Sequence, residues 1–527
     1  MRSTFLGFNT ARSGLFAAQR ALDITGHNIS NVNTPGYSRQ RLEQTQSNPL
    51  SIMGGQGMLG TGVDMVAVNQ LRNNFLDFRY RDEANSLASW ETRRDGLAFV
   101  EAMFNEPSDT GLNTVMDQFF SALQELSKEQ NVDELTHRAL VLDRTVGVAS
   151  SITHLYSQME KMVVDLNFDI QSTVGTINGL SDQIARLNKQ IYMFEADGSQ
   201  ANDLRDQRNL LIDQLSEYVK VDIVEVADAN DQSGMRNVPK KMVLQINGQP
   251  LVYHDRAYAL DASTKEKSDF FDNLGVDLEL NKIQWADGSY LNPRSLQGGL
   301  RALIDLRDGA TATTKGLPYY ISKLNEFART FAKEMNEAAR TGYGLKGEIL
   351  KDSNGNDIGN ATQGAGYLLF TAFGRGSAEM YDAQGNVRHH LITAQNIGVA
   401  LDMEDLNKIP ASGAQNLLPG DASVIMKMLG LRNKSSMFAE GKPEDFMKSL
   451  IANLGVDMQE AMRNSSNQKV LTEQIDNERM RFSGVSTDEE LANMVRYQHS
   501  YNASARMITT MDEMLDVVIN RLGLVGR

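Results

Sequence analysis

Residues 8–29 read Phe8-Asn-Thr-Ala-Arg-Ser-Gly-Leu15-Phe-Ala-Ala-Gln-Arg-Ala-Leu22-Asp-Ile-Thr-Gly-His-Asn-Ile29, and their spacing sets the fold class. Phe8, Leu15, Leu22 and Ile29 recur every seven residues, with Ala11, Ala18 and Thr25 three positions after the first three. The far end of the chain repeats the pattern. Met494, Tyr501, Ile508, Leu515 and Leu522 are spaced by seven, and Tyr497, Met511, Val518 and Val525 follow three positions after four of them. A strict seven-residue apolar repeat keeps one narrow seam turned toward a partner helix, the pattern of a coiled coil. Neither end contains a core that buries its seam alone. The expected partners are the other end of the chain and neighbouring copies in an assembly.

The charges agree with that pairing. Residues 1–60 carry five Arg against Asp23 and Glu43, a formal +3, and residues 484–527 carry four Arg against six acids, a formal −2. Opposite signs favour docking, although solvated pairs contribute little individually. From periodicity alone a second reading stands, in which two unrelated surface helices rest their seams on the globular body.

A chain of 527 residues exceeds a single core and implies about three or four domains. Its net charge of −15 argues against a general nucleic-acid or anionic-membrane binder, and no apolar run is long enough to span a bilayer. The chain has no cysteine, which removes disulfides, thiolate catalysis and Cys-based zinc sites together. The N-terminus lacks a continuous apolar h-region and a small-residue cleavage site, so no Sec signal peptide is expected.

None of the ten prolines lies between Pro107 and Pro239, and none follows Pro443, which permits long helices there. The first of these stretches holds another ladder: Ile152, Met159, Leu166, Thr173, Leu180, Leu187 and Phe194. Tyr156, Val163, Ile170, Ile177, Ile184 and Ile191 come four residues after the first six. One helix over 152–194 extends about 65 Å. Residues 203–218 predict a shorter charged helix with Leu204, Leu211 and Leu215 inward. From Val219 the period changes to two, and Asn247-Gly248 and Asp287-Gly288 are strong hairpin turns. The fold expected is mainly α with inserted β domains, elongated and multidomain. Paired terminal helices (1–60 with 484–527) form a coiled-coil-like module on a long-helix body (61–218 with 297–342 and 421–483). Two β-rich insertions lie at 219–296 and 343–420.

Motifs for chemistry are absent. Asp352 to Asp357 resembles the start of a calcium loop, but the sixth position is Asp357 rather than Gly and the twelfth is Gln363, so a β-turn is the better reading. Adjacent His389 and His390 in a strand would point to opposite faces and lack a spaced companion. The sequence has no G-x-S-x-G, P-loop or H-E-x-x-H. No catalytic, cofactor or metal residues are expected. One segment remains distinctive: Asn28, Asn31, Asn33, Pro35 and Gly36 should stop the first helix and reverse the chain, either as an ordinary helix end or as a joint.

Residues 21–37 (Ala-Leu-Asp-Ile-Thr-Gly-His-Asn-Ile-Ser-Asn-Val-Asn-Thr-Pro-Gly-Tyr) resemble the N-terminal signature of bacterial flagellar rod, hook and hook-associated proteins, and Gly484 to Arg506 resembles their C-terminal signature. Within that family, Tyr37–Arg41, Leu204–Ser216 and Leu296–Arg307 resemble its hook–filament junction members. The likeness is weakest over 225–290 and 350–420. It implies a secreted, extracellular structural protein of the flagellum, not an enzyme and without a cofactor, exported unfolded by the flagellar type III route. The implied partners are further copies of the chain in a thin ring, the hook protein, the second junction protein, and a cytoplasmic export chaperone that masks the C-terminal helix. No nucleic acid or membrane insertion is implied. The assembly interface is then expected at Phe8, Leu15, Leu22, Ile29, Met494, Tyr501, Ile508, Leu515 and Leu522, with the joint residues from Asn28 to Gly36. A hook or distal-rod protein of the same family is the alternative, although those generally lack the 152–194 ladder. A cytosolic coiled-coil scaffold is the alternative from another class.

Overall fold

The computed structural model describes every residue except 1–4, 52–57, 105–110, 197, 227–239, 353–354, 360–363, 518 and 520–527. It opens with helix α1 (Leu6–Ser30). Strands β1 (Gln40–Gln46), β2 (Leu50–Ser51), β3 (Met58–Leu59) and β4 (Val63–Gln70) follow. β1 pairs with β4 from Gln40↔Gln70 to Gln46↔Val63, and β2 pairs with β3, all antiparallel. The expected boundary between 60 and 61 therefore falls between β3 and β4, within the segment that the β1–β4 pairing closes. β1 is Gln-rich and largely exposed, β4 is exposed to half-buried, and neither shows the alternating burial that marks a strand against a core.

Helices α2 (Asn74–Phe104), α3 (Leu112–Leu126), α4 (Leu135–Glu195) and α5 (Asn202–Tyr218) come next. At 61 residues, α4 is longer than its ladder implied and extends about 90 Å. The buried centre of the ladder is its second set: Tyr156, Val163, Ile170, Ile177, Ile184 and Ile191 are all at most 4% exposed, whereas Phe194 is 63% exposed. α4 does not pair with one long partner. It packs first on α3 and later on α5, so its stripe is covered by different neighbours in turn.

The first insertion holds β5 (Asp222–Val226), β6 (Lys241–Ile246), β7 (Gln249–Tyr253) and β8 (Arg256–Ala257) as one antiparallel sheet in that order. Asn247 (φ 51°) and Gly248 (φ 79°) make the β6–β7 turn, both left-handed as a tight hairpin of this twist requires. Short strands β9 (Leu260–Asp261), β10 (Lys265–Lys267), β11 (Glu279–Asn281) and β12 (Gln284–Trp285) and the single turn α6 (Asp269–Asp272) complete it. The helical stretch expected over 297–341 is two helices, α7 (Gly299–Asp308) and α8 (Leu317–Ala339). Gly309 and Gly316 break it: a Cβ on either would stand within 2.4 Å of the Asp305 carbonyl oxygen.

The second insertion departs from expectation. Among the described residues of 343–420, one short antiparallel pair of strands, β13 (Phe370–Ala372) with β14 (Ile397–Val399), and isolated bridges lie among turns and 3-10 segments. Its apolar run Tyr367–Phe370 is buried at every position, not at alternate ones. There the buried Asn336 side chain of α8 replaces a strand partner, accepting from the Leu369 and Phe370 N–H groups and donating to the Phe370 carbonyl. His389 lies in a 3-10 turn, 3.3 Å from Glu337.

Helices α9 (Ser423–Leu431), α10 (Pro443–Ser483) and α11 (Thr487–Asp516) close the described chain. Two cores result. One joins α3, α8, α9, the start of α10, the second insertion and α4 as far as Leu166. The other joins α4 from Ile170, α5, α7 and the first insertion. The fold is mainly helical and elongated, with small sheets.

Candidate assembly interface

α1 and α11 pack against each other in antiparallel register. A Cβ on Gly7 would stand 2.5 Å from Met511 Cε, a Cβ on Gly14 would stand 3.2 Å from Ser504 Oγ, and Asn28 Nδ2 donates to Glu490 at 3.1 Å. Each step of seven up one helix is a step of seven down the other. Ala11, Ala18, Ala21, Thr25 and Asn28 form the buried face of α1, each at most 4% exposed. Phe8, Leu15, Leu22 and Ile29 are half-buried flanks. Of the two rows of the expected seam, Ala11, Ala18 and Thr25 are therefore the buried one, and the row of large residues flanks it. Gly and Ala let the two backbones approach closely, so burial goes mostly to small residues, with Ile24 the one large apolar residue buried on α1, while Phe8, Leu15, Leu22 and Ile29 straddle the contact.

On α11, Met494, Tyr501, Ile508 and Leu515 are half-buried on the α1 side, and Leu522 lies outside the described residues. Glu490 is the one buried residue of that helix. Its outer side carries Leu491, Val495, Met507 and Met514, each 47% exposed or more. A helix covered on one side only presents a second face for another neighbour.

Below this pair the joint is a dense polar node. α1 ends at Ser30, and the chain reverses through Pro35 and Gly36, both exposed. Gly36 has φ 77°, and a Cβ there would lie 3.1 Å from Leu210 Cβ, so the left-handed turn also needs the space. Asn31 is half-buried, its amide bonded to the His27 carbonyl, while Asn33 is exposed. Asn28 is 1% exposed. Its amide donates to Glu490 and to the Gln40 carbonyl, and its oxygen accepts from the Tyr37 hydroxyl and the Gln40 N–H. Arg39 reaches Glu489 at 2.6 Å and Glu490 at 2.7 Å. The Ser38 N–H donates to Asp206 of α5, and Arg72 bridges Asp206 and Asp77. Arg479 of α10 closes the node, 2.6 Å from Asp213 and stacked 4.0 Å over the Tyr80 ring.

Burial, then the Asp203, Asp206 and Glu490 carboxylates, push the Tyr37 phenol up, so it stays protonated and donates. Burial also raises Asp206, although the Ser38 N–H and Arg72 oppose it. Removing one member of such a buried pair costs about 3–5 kcal/mol, because the other charge is left without a partner.

Of the residues expected from the sequence, the structure brings the seam positions of the two ends together and places Asn28 at the centre of the joint. Arg39, Gln40, Arg72, Asp77, Asp206, Arg479 and Glu490 were not anticipated. A signal for several of them existed. Residues 21–41, 204–216 and 484–506, quoted above as separate stretches, meet at this one node.

The comparisons with known proteins follow the same division. The model for the flagella basal body rod protein matches residues 8–37, and that for the flagellar basal body rod FlgEFG protein C-terminal matches 477–522. The flagellar hook-associated protein FlgK helical domain matches 97–353. A flagellar hook-associated protein 1 from Bacillus subtilis is 33% identical over 540 positions, covering all of both chains. The chain belongs to the flagellar hook-associated protein 1 family. An Escherichia coli member is 25% identical over 97% of this chain and 99% of its own. The structure of the flagellar hook junction protein FlgK from Burkholderia pseudomallei covers 79% of this chain and 100% of its own, with a TM-score of 0.50 and 15% identity, a likeness of fold.

The two rod-protein matches therefore cover α1 with its turn and α11 with the last residues of α10, the elements that meet at the node. The helical-domain match covers the whole of α4, which holds the 152–194 ladder. Among the described residues no helix is long and apolar enough to cross a membrane.

Proposed function

We infer that the chain is a structural axial subunit of the bacterial flagellum that polymerises at the hook tip and joins hook to filament. The observation that carries this is the 33% identity to a flagellar hook-associated protein 1 across the whole of both chains. Copies of the chain form a thin ring, with the hook protein on one side and the second junction protein on the other. The subunit is secreted, acts outside the cell and performs no catalysis. Before export, a cytoplasmic chaperone covers α11, whose outer side leaves Leu491, Val495, Met507 and Met514 exposed.

Assembly runs through the terminal module. Phe8, Leu15, Leu22, Ile29, Met494, Tyr501, Ile508 and Leu515 hold its helices together and to their neighbours. Asn28, Asn31, Asn33, Pro35 and Gly36 set the angle at which the module leaves the body. Flagella sheared from cells and labelled with antibody against the chain test this reading. A single band of label at the hook–filament boundary is expected. Label along the whole hook, or protein confined to the cytoplasm, would contradict it.

A further inference from the structure

We propose that the bodies of neighbouring copies lock side by side, with the outer stripe of α10 from one copy seated in a groove between α2, α4 and α7 of the next. This rests on the ring reading above and names the contact that the ring would use outside the terminal helices.

The groove has a volume of about 940 Å³ and runs along α2 from Thr92 to Phe104 and along α4 from Ser151 to Asp169. Its apolar lining includes Met103, Leu155 and Met162, and Phe99 stands at its edge 65% exposed. Asp95, Asp165 and Asp169 line it as well, against one Lys or Arg, Lys161. It is an apolar trough with a surplus of negative charge, which suits a helix bearing small apolar residues and a cation.

α10 supplies such a face. Its buried residues Leu454, Ala461, Ser465 and Ile475 lie toward α2. Val456, Arg463 and Val470 recur every seven residues on the opposite side, all exposed, with Gln459 and Ser466 between them. Val456 and Val470 are 62% and 61% exposed.

Height selects the segment. α2 and α10 run antiparallel, with Arg94 bonded to Ser465 and Arg479 stacked over Tyr80. That register sets residues 455–467 of α10 beside residues 92–104 of α2. Rotation about a common axis changes the side of a subunit but not the height of any residue. A neighbour related by such a rotation therefore offers Val456, Gln459, Arg463 and Ser466 at the level of the groove. The segment from 455 to 467 is about 20 Å long and the α2 wall of the groove is of equal length. Because groove and stripe are different surfaces, the contact is head-to-tail and propagates around a ring instead of closing a dimer.

The absence of cysteine makes the test clean. A strain whose sole copy carries Gln158→Cys with Gln459→Cys is grown, its flagella are isolated and they are mildly oxidised. A ladder of covalent dimers, trimers and higher species on a non-reducing gel is expected, with each single-Cys variant giving none. Monomer alone, from flagella that contain the chain, would overturn this contact and leave the junction reading standing. Absence of the unsubstituted chain from flagella would overturn both. A charge exchange supplies a second arm on exposed residues. Asp165→Arg and Arg463→Asp should each lower the amount of chain in flagella, and the two together should restore it. Normal incorporation of both single variants, or no recovery in the double, would equally overturn the contact.

Discussion

Asn28 and Glu490 lie 462 positions apart in the chain and 3.1 Å apart in space, joined by a hydrogen bond from amide to carboxylate. The same Asn28 side chain holds both backbone groups of Gln40 and the Tyr37 hydroxyl, so one amide ties α1, the reversing turn, the first strand and the opposite terminus together. The Asn-rich helix end, which from composition alone reads as an ordinary stop, carries these hydrogen bonds between the terminal helices and the first strand.

Asn28→Ala should loosen that joint without unfolding either core. It leaves the Gln40 backbone groups, the Tyr37 hydroxyl and part of Glu490 without a partner, at about 1–3 kcal/mol for each orphaned buried group. Proteolysis within residues 31–39 should speed up by more than tenfold while the melting of the body is unchanged. Equal cleavage rates for variant and parent would refute the role given to Asn28.

The register of the terminal helices makes a second, independent test. Gly7→Leu forces a side chain into the space held by Met511 and should cost about 1–3 kcal/mol of pairing. Adding Met511→Ala should recover most of the lost helicity measured by circular dichroism. A Gly7→Leu chain with full helicity would show that the two ends meet in another register.

The ladder in α4 offers a prediction about the body. Ile177 is fully buried in the core formed with α5 and the first insertion. Ile177→Asp places a carboxylate there without a partner, costing several kcal/mol. The thermal transition of that core should fall by about 10 °C or more. An unchanged melting temperature would mean that the stripe faces solvent.

Much of this organisation was legible in the sequence. Periods of seven found α1, α4 and α11, proline spacing marked where long helices run, and Asn247-Gly248 marked a real hairpin. What the sequence hid has physical causes. The repeat placed Ala11, Ala18 and Thr25 in one seam with Phe8, Leu15 and Leu22 without ranking the two rows, and close helix approach buries the small row while the large one stays half-buried. The strands at 40–70 are mostly exposed or half-buried and bury no alternate side chains in a core, so they carry no alternating pattern. Residues 343–420 look β-rich from their turns, yet bury a continuous run against α8 through the Asn336 side chain. The node around Asp206 and Arg72 joins charges more than 100 residues apart, and charge pairing at that range leaves no periodic trace.

Acid should act on the first insertion at a defined window. Hydrogen bonds from Ser263, with help from Thr264 and Gln284, hold the Asp261 carboxyl down at about 2, below its ordinary value of 3.8. A lowered folded-state value means a contribution that is complete above pH 3.8 and disappears as pH falls from 3.8 toward 2. Asp261→Asn should remove that pH dependence, read from exchange of the Ser263 amide. An identical acid profile in the variant would show that the carboxylate is not what holds the turn.

The central claim is that the paired termini are the element through which the chain assembles into the flagellum, and Tyr501→Asp with Ile508→Asp tests it most directly. Both residues are half-buried on the α1 side of α11 and belong to neither core. Two carboxylates cannot be accommodated there without partners, so α11 should leave α1 while the body keeps its melting temperature. The measurement is the amount of chain in isolated flagella and the length of filaments on cells whose sole copy is this variant. The account predicts a folded body, no chain at the hook tip and no attached filaments. Normal filaments carrying the variant at parental levels would contradict it.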